Sequence, residues 1–220
     1  MDREAFIAYS NRTDVTADEL PEWFATVRDY LQDAYVVAET PWQQSGKSGT
    51  YEQWTRLRVP ISELINRDGT LLDIGCANGF LLECLLYWSS MKGVAINPFG
   101  LDIGEKSVAL ARARLPQFDR QIHIGNGWDW QPSHKFDFVS TELVYVPVPF
   151  QQAYVERLLT HLVKPGGTLI IAHYRSSRED DLSTGWHDER LREWGYDVTA
   201  MSRGFSHQGL ELSRYAAINC

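Results

Sequence analysis

Residues 71–80 read LLDIGCANGF, and this stretch decides the fold of the chain. An apolar run ending in Asp73 is followed by a turn at residues 75–79 and then by apolar, helix-forming residues from Phe80 onward. The pattern predicts a buried strand, a glycine turn and the start of a helix. Glycine tolerates positive φ and lets the backbone approach a ligand, while the free N–H groups of the helix face the same place. The turn is therefore a candidate binding site for a nucleotide-like ligand.

Two phosphate-binding motifs fit this turn poorly. A dinucleotide fingerprint has the spacing G-x-G-x-x-G, whereas Ala77 stands at the second glycine position and no third glycine follows. A P-loop has Lys and then Ser or Thr after its last glycine, where this chain has Phe80 and Leu81. A ligand without phosphate is therefore favoured, and a turn that only joins strand to helix stays as the alternative.

The bulk composition limits the class of protein and its partners. The chain has 220 residues, of which 44% are hydrophobic, and a formal net charge of −8. This length predicts one core domain over residues 67–220 with an N-terminal extension over residues 1–66. The acidic balance provides no overall positive field for nucleic acid or an anionic membrane. The net charge therefore disfavours a nucleic-acid partner.

The cysteines and the apolar runs indicate the compartment. Cys76, Cys84 and Cys220 are odd in number and form no C-x-x-C pair, so neither a disulfide framework nor a metal site is predicted. No apolar run approaches the roughly 20 residues of a membrane helix. The N-terminus is charged from its second residue and lacks the apolar run of a secretory signal. We therefore expect a cytoplasmic protein without a membrane partner.

The N-terminal extension has helical periodicity. Apolar residues recur at three- and four-residue spacing between residues 17 and 39, which predicts a first helix. A loop with two glycines spans residues 40–49, a second helix begins at Thr50 and is interrupted at Pro60, and a short helix runs through Ile65. We expect this extension to form a helical lid over the site at the glycine turn.

Strands and helices alternate through the rest of the chain, which is typical of an α/β protein with a parallel sheet between two helical layers. Strands are predicted near residues 70–74, 99–102, 121–124, 136–140, 167–173, 196–203 and 210–217. Helices are predicted near residues 79–89, 105–115, 150–163 and 185–194. The last two strands are joined by a short loop, which suits an antiparallel hairpin and excludes a parallel crossover. The prediction is a three-layer sandwich whose mostly parallel, seven-stranded sheet ends in an antiparallel hairpin.

The order hydrophobic-hydrophobic-Asp-hydrophobic-Gly-x-Ala-x-Gly over residues 71–79 resembles the first motif of the class I (Rossmann-like, seven-stranded) S-adenosylmethionine-dependent methyltransferases. The terminal antiparallel pair also resembles their fold, and the resemblance extends from about residue 60 to the C-terminus. It implies that S-adenosyl-L-methionine is the cofactor and that the chain is a methyltransferase.

Asp102 is the first candidate for cofactor binding. It stands at the end of the second predicted strand, 23 residues after Gly79. An acidic side chain at about this offset accepts hydrogen bonds from ribose hydroxyls, and the family resemblance implies the same role. The alternative is a carboxylate that caps the next helix near Glu105 or Ser107.

The resemblance implies further cofactor contacts. Asp73 and Gly75 would serve the methionine part of the cofactor. Independently of the resemblance, Arg58 on the second predicted helix is a candidate partner for the methionine carboxylate, and the alternative is a solvated helix face. Asn126 stands where the family commonly has Asp beside adenine; its amide can still accept from the exocyclic amine. Trp128 would pack beside the base or fill core space. The remaining predicted cofactor contacts are Cys76, Ala77, Gly79, Ile103 and Gly127.

Residues that follow the fourth and fifth predicted strands are candidates for the acceptor side. A carboxylate at Glu142 suits a cationic amine or guanidine, or acts as a general base, and Tyr145 adds an aromatic wall or a hydroxyl. His173 is a candidate base by its ordinary pKa. The alternatives are a surface charge at Glu142 and a structural hydrogen bond at His173.

The leading prediction is methyl transfer to an N or O atom of a small molecule. The alternatives are an RNA or protein methyltransferase and a non-catalytic module that binds S-adenosylmethionine, while NAD binding is disfavoured by Ala77 and the terminal hairpin. We expect a monomer or a homodimer.

Overall fold

A seven-stranded sheet lies between two helical layers in the computed structural model, which describes residues 1–45, 49–176 and 185–220. The strands are β1 (Gly69–Ile74), β2 (Ile96–Asp102), β3 (Ile122–Ile124), β4 (Phe136–Glu142), β5 (Val163–Tyr174), β6 (Val198–Phe205) and β7 (Glu211–Asn219). The helices are α1 (Arg3–Ser10), α2 (Leu20–Tyr35), α3 (Tyr51–Arg58), α4 (Phe80–Ser90), α5 (Glu105–Arg114), α6 (Gln151–His161) and α7 (His187–Glu193).

The strand order is β3-β2-β1-β4-β5-β7-β6. Strands β1 to β5 are parallel, and β7 runs antiparallel between β5 and β6. The predicted fold class, including the terminal antiparallel hairpin, is confirmed. The chain builds outward from β1 to β3 on one side and returns to β4 on the other side of β1. Ligands of such sheets bind beyond the carboxyl ends of the strands at this switch point, which here lies between β1 and β4.

The two faces of the sheet carry separate apolar cores. Leu72 and Ile74 of β1 face α2, α6 and α7, whereas Leu71 faces α4 and α5. Because successive strand residues point to opposite faces, Asp73 shares its face with Leu71 and not with its immediate neighbours. Trp23 of α2 is 1% exposed in the first core, so the N-terminal helices are part of the folded unit.

Two boundaries lie four residues from their predicted positions, and one helix is an addition. Helix α2 ends at Tyr35 and is preceded by a 3-10 turn at Ala17–Glu19. Strand β5 begins at Val163, because Val163 pairs with Phe136 and the turn at residues 165–167 forms an irregularity within the ladder. Helix α1 was not predicted; its signal is Asp2, whose side chain accepts from Ala5 N and caps the helix.

The predicted loop at residues 40–49 is described at residues 40–45 and 49, and residues 46–48 lie outside the described part of the chain. Capping boxes are present at two helix starts in this region, with Glu19 Oε2 accepting from Thr16 N and Gln53 Oε1 from Thr50 N. Within the described residues, no helix combines the length and apolar character needed to cross a membrane.

Helix α3 is attached to the C-terminal hairpin. The carbonyl of Leu57 accepts from Ser213 Oγ at 2.7 Å and from Tyr215 Oη at 2.6 Å. The carbonyl of Pro60 accepts from Ser202 Oγ at 2.8 Å. All three hydroxyls are buried, so these bonds fix the C-terminal end of α3 above the sheet.

Asp137 joins β1 to β4 at the opposite end of the sheet. Its Oδ2 accepts from Thr70 N, Thr70 Oγ1 and Lys164 Nζ at 2.7–2.8 Å. Desolvation raises the pKa of Asp137, but the hydrogen bonds from Lys164 and Thr70 outweigh it and lower the pKa to about 2. The ionised carboxylate therefore stabilises the central strand pair.

We expect Asp137→Asn to lower the free energy of unfolding by about 1 kcal/mol at pH 7, after allowance for solvent screening of a side chain that is 24% exposed. Because the folded pKa lies below the ordinary 3.8, this stabilisation is present above about pH 4 and is lost as the pH falls towards 2. Urea unfolding at several pH values measures the difference. Asp129→Asn, at an exposed position, is the control, and a gap that stays constant down to pH 3 would contradict the prediction.

Candidate active site

The glycine turn after β1 is held against the end of β2. Gly75 N and Cys76 N both donate to Leu101 O, at 2.7 and 3.1 Å. Gly75 has φ +80° and Gly79 has φ +73°, as the sequence predicted for a turn of this kind. Ala77 also adopts positive φ, at +46°, although it carries a Cβ. A non-glycine residue in this region is held there only by its surroundings.

Asp102 supplies part of that support. Its Oδ2 accepts from Ala77 N and its Oδ1 accepts from Gly104 N, both at 2.8 Å. The carboxylate therefore bridges the glycine turn and Gly104, the residue before α5, whereas the predicted alternative placed the cap near Glu105 or Ser107. A carboxylate offers about four lone-pair sites, so two accepted bonds leave capacity for a ligand.

A cavity opens beside the turn, at the carboxyl ends of β1 and β4 and beneath α3. Three of its lining residues are charged, namely Arg58, Asp73 and Glu142. Its aromatic lining comes from Trp54, Tyr145 and Tyr174. The cavity thus lies at the switch point of the sheet, where the topology places a ligand.

Two buried charged groups in this cavity each have one polar atom without a hydrogen-bond partner among the described residues. Arg58 is 8% exposed, lies 3.5 Å from the centre of the Tyr174 ring, and its Nη1 has no hydrogen-bond partner among the described residues. Asp73 is 4% exposed, and its Oδ2 likewise has none within that part of the chain. Burial, with Glu142 and Asp102 nearby, raises the pKa of Asp73 to about 7. A ligand that carries both a carboxylate and an ammonium group complements this pair.

Glu142 and Tyr145 form a second pair at the same cavity. Tyr145 Oη donates to Glu142 Oε1 at 3.1 Å. The phenol ring lies directly against Gly75, where any Cβ would overlap it. Burial raises the pKa of Glu142, although Arg58 and the Tyr145 hydroxyl oppose this shift. A carboxylate with a raised pKa is suited to taking up a proton near neutral pH.

Tyr174 presents a hydrogen-bond acceptor to the cavity. Tyr215 Oη lies 2.6 Å from Leu57 O and 3.0 Å from Tyr174 Oη. A carbonyl oxygen only accepts, so the single Tyr215 proton points to Leu57 and Tyr174 donates to Tyr215. The remaining lone pairs of Tyr174 Oη are therefore available to a donor in the cavity.

The roof of the cavity is tied to the glycine turn through Asn78. Its Nδ2 donates to Pro41 O and to Gln44 Oε1, both at 2.9 Å. Next to Gln44, Ser45 Oγ accepts from Trp54 Nε1 at 3.2 Å, and both of these residues line the cavity. The sequence analysis did not assign Asn78 a role, and its only signal was an amide within an otherwise small-residue turn.

The predicted adenine contacts lie together at the carboxyl ends of β2 and β3, outside the cavity lining. Asn126 Oδ1 accepts from Trp128 N at 2.9 Å and from Asp129 N at 3.1 Å, so it closes its own turn. Trp128 is partly buried and packs edge-on against Phe150, with ring centres 5.4 Å apart. Ile103 is partly buried beside the core that contains Leu72 and Ile74, and Gly127 is buried.

The structure does not bring His173 to Glu142 and Tyr145. His173 and Tyr174 are adjacent in β5, so they point to opposite faces, and only Tyr174 lines the cavity. The His173 ring stacks on His187 at 3.7 Å between ring centres, and its Nδ1 accepts from His187 N. Burial lowers the pKa of His173 to about 4. Arg58, in contrast, lies in the cavity and not on a solvated helix face.

A family model described as a methyltransferase domain matches residues 47–215 of the chain. The chain belongs to this methyltransferase family. The match begins before α3 and ends within β7, so it includes the glycine turn, all of the cavity lining except Ser45, and most of the terminal hairpin. The predicted resemblance to class I S-adenosylmethionine-dependent methyltransferases is confirmed at the level of family and fold.

Known proteins agree with this assignment. The ubiquinone biosynthesis O-methyltransferase of Thiobacillus denitrificans is 31% identical over 121 residues, which are 52% of this chain and 46% of that protein. The chain spans about half the length of the curated relatives that it matches, from 40% to 54%.

Two solved structures share the fold. The 1,6-didemethyltoxoflavin-N1-methyltransferase of Burkholderia thailandensis, crystallised with 1,6-didemethyltoxoflavin and S-adenosylhomocysteine, has a TM-score of 0.62 and 15% identity and covers 94% of this chain and 92% of its own. An S-adenosylmethionine-dependent methyltransferase of Leishmania major has a TM-score of 0.64 and 16% identity, with coverage of 92% and 87%.

We expect Gly75→Ala to disrupt the turn through contact with Tyr145 as well as through backbone strain. Gly166→Ala is the matched control, because Gly166 has φ +74° but open space around its Cα. Urea unfolding should show a loss of about 1 kcal/mol for the control and a loss larger by about 1–3 kcal/mol for Gly75→Ala. Equal losses would show that the Tyr145 ring does not press on Gly75.

Proposed function

We propose that the chain transfers a methyl group from S-adenosylmethionine to an N or O atom of a small molecule. The observation that carries the proposal is the pair of buried, unpartnered groups, Arg58 Nη1 and Asp73 Oδ2, on one cavity beside the glycine turn. The amino-acid part of S-adenosylmethionine has the complementary carboxylate and ammonium. The bound cofactor supplies a methyl group on a sulfonium sulfur, which is already an activated leaving group.

Each part of the cofactor has candidate protein partners. Arg58 binds the carboxylate of the cofactor. Asp73 binds its ammonium group directly or through water, and Asp102 accepts hydrogen bonds from its ribose hydroxyls. The backbone at Cys76, Ala77 and Gly79 forms the turn on which the cofactor lies. Ile103, Asn126, Gly127 and Trp128 provide the adenine side. Because Asn126 Oδ1 already accepts two amides, its NH₂ is the more accessible contact.

The acceptor side is formed by Glu142 and Tyr145 beneath α3. Glu142 takes the proton that the acceptor loses, and Tyr145 holds the carboxylate in position through its 3.1 Å hydrogen bond. Residues 1–66 act as the lid in this proposal, since Trp54 and Arg58 cover the cavity and Asn78 ties residues 41 and 44 to the turn. His173 lies on the other face of the sheet and is left out of the mechanism.

Names of relatives support N or O as the methylated atom. The Thiobacillus protein is named for O-methylation and the Burkholderia protein for methylation at N1. The net charge of −8 and the partly buried position of Glu142 support a small acceptor over a nucleic acid.

We expect Arg58→Met to weaken S-adenosylhomocysteine binding by about a hundredfold while leaving 5′-methylthioadenosine binding unchanged. Methylthioadenosine lacks the amino-acid part, so it reports whether the nucleoside site is intact. Asp102→Asn should weaken both ligands, since its partner is the ribose. Isothermal titration calorimetry measures the affinities of the wild type and of both variants for the two ligands. An equal loss of affinity for both ligands in Arg58→Met would exclude Arg58 as the partner of the carboxylate.

We expect Glu142→Gln to reduce the rate of methyl transfer by about 10²–10⁴-fold, because the amide cannot take up a proton. The structure of the glycine turn should change little. The assay screens amines, phenols and tRNA for labelled methyl from S-adenosylmethionine and repeats each hit with the variant. Tyr145→Phe should give a smaller loss, since it removes only the bond to Glu142. An unchanged rate in Glu142→Gln would exclude it as the base, and transfer to tRNA alone would refute a small-molecule acceptor.

A further inference from the structure

The ionisable groups of the cavity restrict the charge of the methyl acceptor. Of the described residues that line it, Arg58 carries a positive charge, and Asp73 and Glu142 are carboxylates. The other ionisable lining groups are one thiol and two phenols, and burial raises the pKa of each above its ordinary value. They are Cys76, Tyr145 and Tyr174. The lining therefore holds one positive charge and up to two negative charges.

Both carboxylates are ionised when a cation lies beside them, because an opposite charge within a few ångströms favours the charged form. The proposed donor has a sulfonium, an ammonium and a carboxylate, so it adds one net positive charge. This charge cancels the single net negative charge of the lining. The carboxylate of Asp102 lies outside this lining, where the amides of Ala77 and Gly104 donate to it. A further buried charge would then lack a counterion, and such a charge costs several kcal/mol.

The hydrogen-bonding groups of the cavity point in the same direction. Tyr174 Oη has lone pairs available, because its own proton goes to Tyr215. Among the described residues no donor reaches Glu142 Oε2, whereas Oε1 accepts from Tyr145. Acceptor atoms on the protein require N–H or O–H donors on the ligand.

We propose, on the basis of the function proposed above, that the acceptor binds as a neutral molecule with an N–H or O–H group, such as a phenol, an enol or an N–H heterocycle. As the bond from this N or O atom to the methyl carbon forms, the S–C electron pair stays on sulfur and the acceptor proton passes to Glu142. The positive charge on sulfur and the negative charge on Glu142 disappear together. The site is neutral before and after transfer.

Neutrality of the loaded site provides a reason for a carboxylate at the partly buried position of Glu142. A cationic amine would leave the loaded site with one excess positive charge, and a carboxylate or phosphate would leave it with an excess negative one. Trp54, Tyr145 and Tyr174 add aromatic surface against which a flat neutral ring packs. The proposal thus selects against alkylammonium and anionic acceptors.

The first test compares S-adenosylmethionine with S-adenosylhomocysteine, which lacks the sulfonium charge. Calorimetry should show tighter binding of S-adenosylmethionine to the wild type, and Glu142→Gln should reduce this preference about tenfold. Glu22→Gln changes the net charge equally at an exposed position on α2 and should leave the preference unchanged. An unchanged preference in Glu142→Gln would refute the charge balance. Failure of both ligands to bind the wild type would instead refute the proposed function.

The second test examines the acceptor directly. Sinefungin, which keeps an amine cation in place of the sulfonium and transfers no methyl, saturates the cofactor site while ligand-observed NMR screens aromatic fragments of equal size in neutral, cationic and anionic sets. Neutral fragments with N–H or O–H groups should dominate in the wild type, and Glu142→Gln should shift the hits towards anions. Predominance of cations or anions in the wild type, or the same distribution in both proteins, would overturn the proposal.

Discussion

Three main-chain amides of the glycine turn are held by the end of β2, and the position of the site depends on them. Gly75 N and Cys76 N donate to Leu101 O, and Ala77 N donates to Asp102. These bonds keep Ala77 at positive φ, a conformation that costs free energy for any residue with a Cβ. The Asp102 carboxylate that we propose for the ribose therefore also fixes the shape of the turn. Its substitution affects geometry as well as a ligand contact.

The charged groups of the cavity are the second constraint. Arg58 and Asp73 are more than nine-tenths buried, and neither has all of its polar atoms paired. Folding alone gains little from such groups, because desolvation of a charge outweighs an imperfect interaction. Their free energy is recovered when a ligand with opposite charges binds. The site is thus adapted to its ligands at the expense of the stability of the empty protein.

Much of the fold was predictable because it rests on local patterns. The strand and turn at residues 71–79 and the short loop before β7 are such patterns, and they were enough to specify a mixed sheet with an antiparallel end. The site was less predictable. His173 and Tyr174 both follow the end of a predicted strand, but only the alternation of the ladder decides which one reaches the cavity. Arg58 has the sequence context of a solvated helix residue, and its burial arises from packing on Tyr174 and from the attachment of the neighbouring Leu57 to the distant β7.

The attachment of α3 to the hairpin also determines when the acceptor cavity forms during folding. Leu57 contacts Ser213 and Tyr215, which lie 156 and 158 residues further along the chain, and Pro60 contacts Ser202, 142 residues away. Contacts of such long sequence separation form late, because the closure of long loops precedes any gain from them. The glycine turn needs only β1 and β2, so it can be complete much earlier. During synthesis on the ribosome, before β7 has left the exit tunnel, the chain can form the glycine turn. It cannot yet form the hydrogen bonds that fix α3 above the cavity.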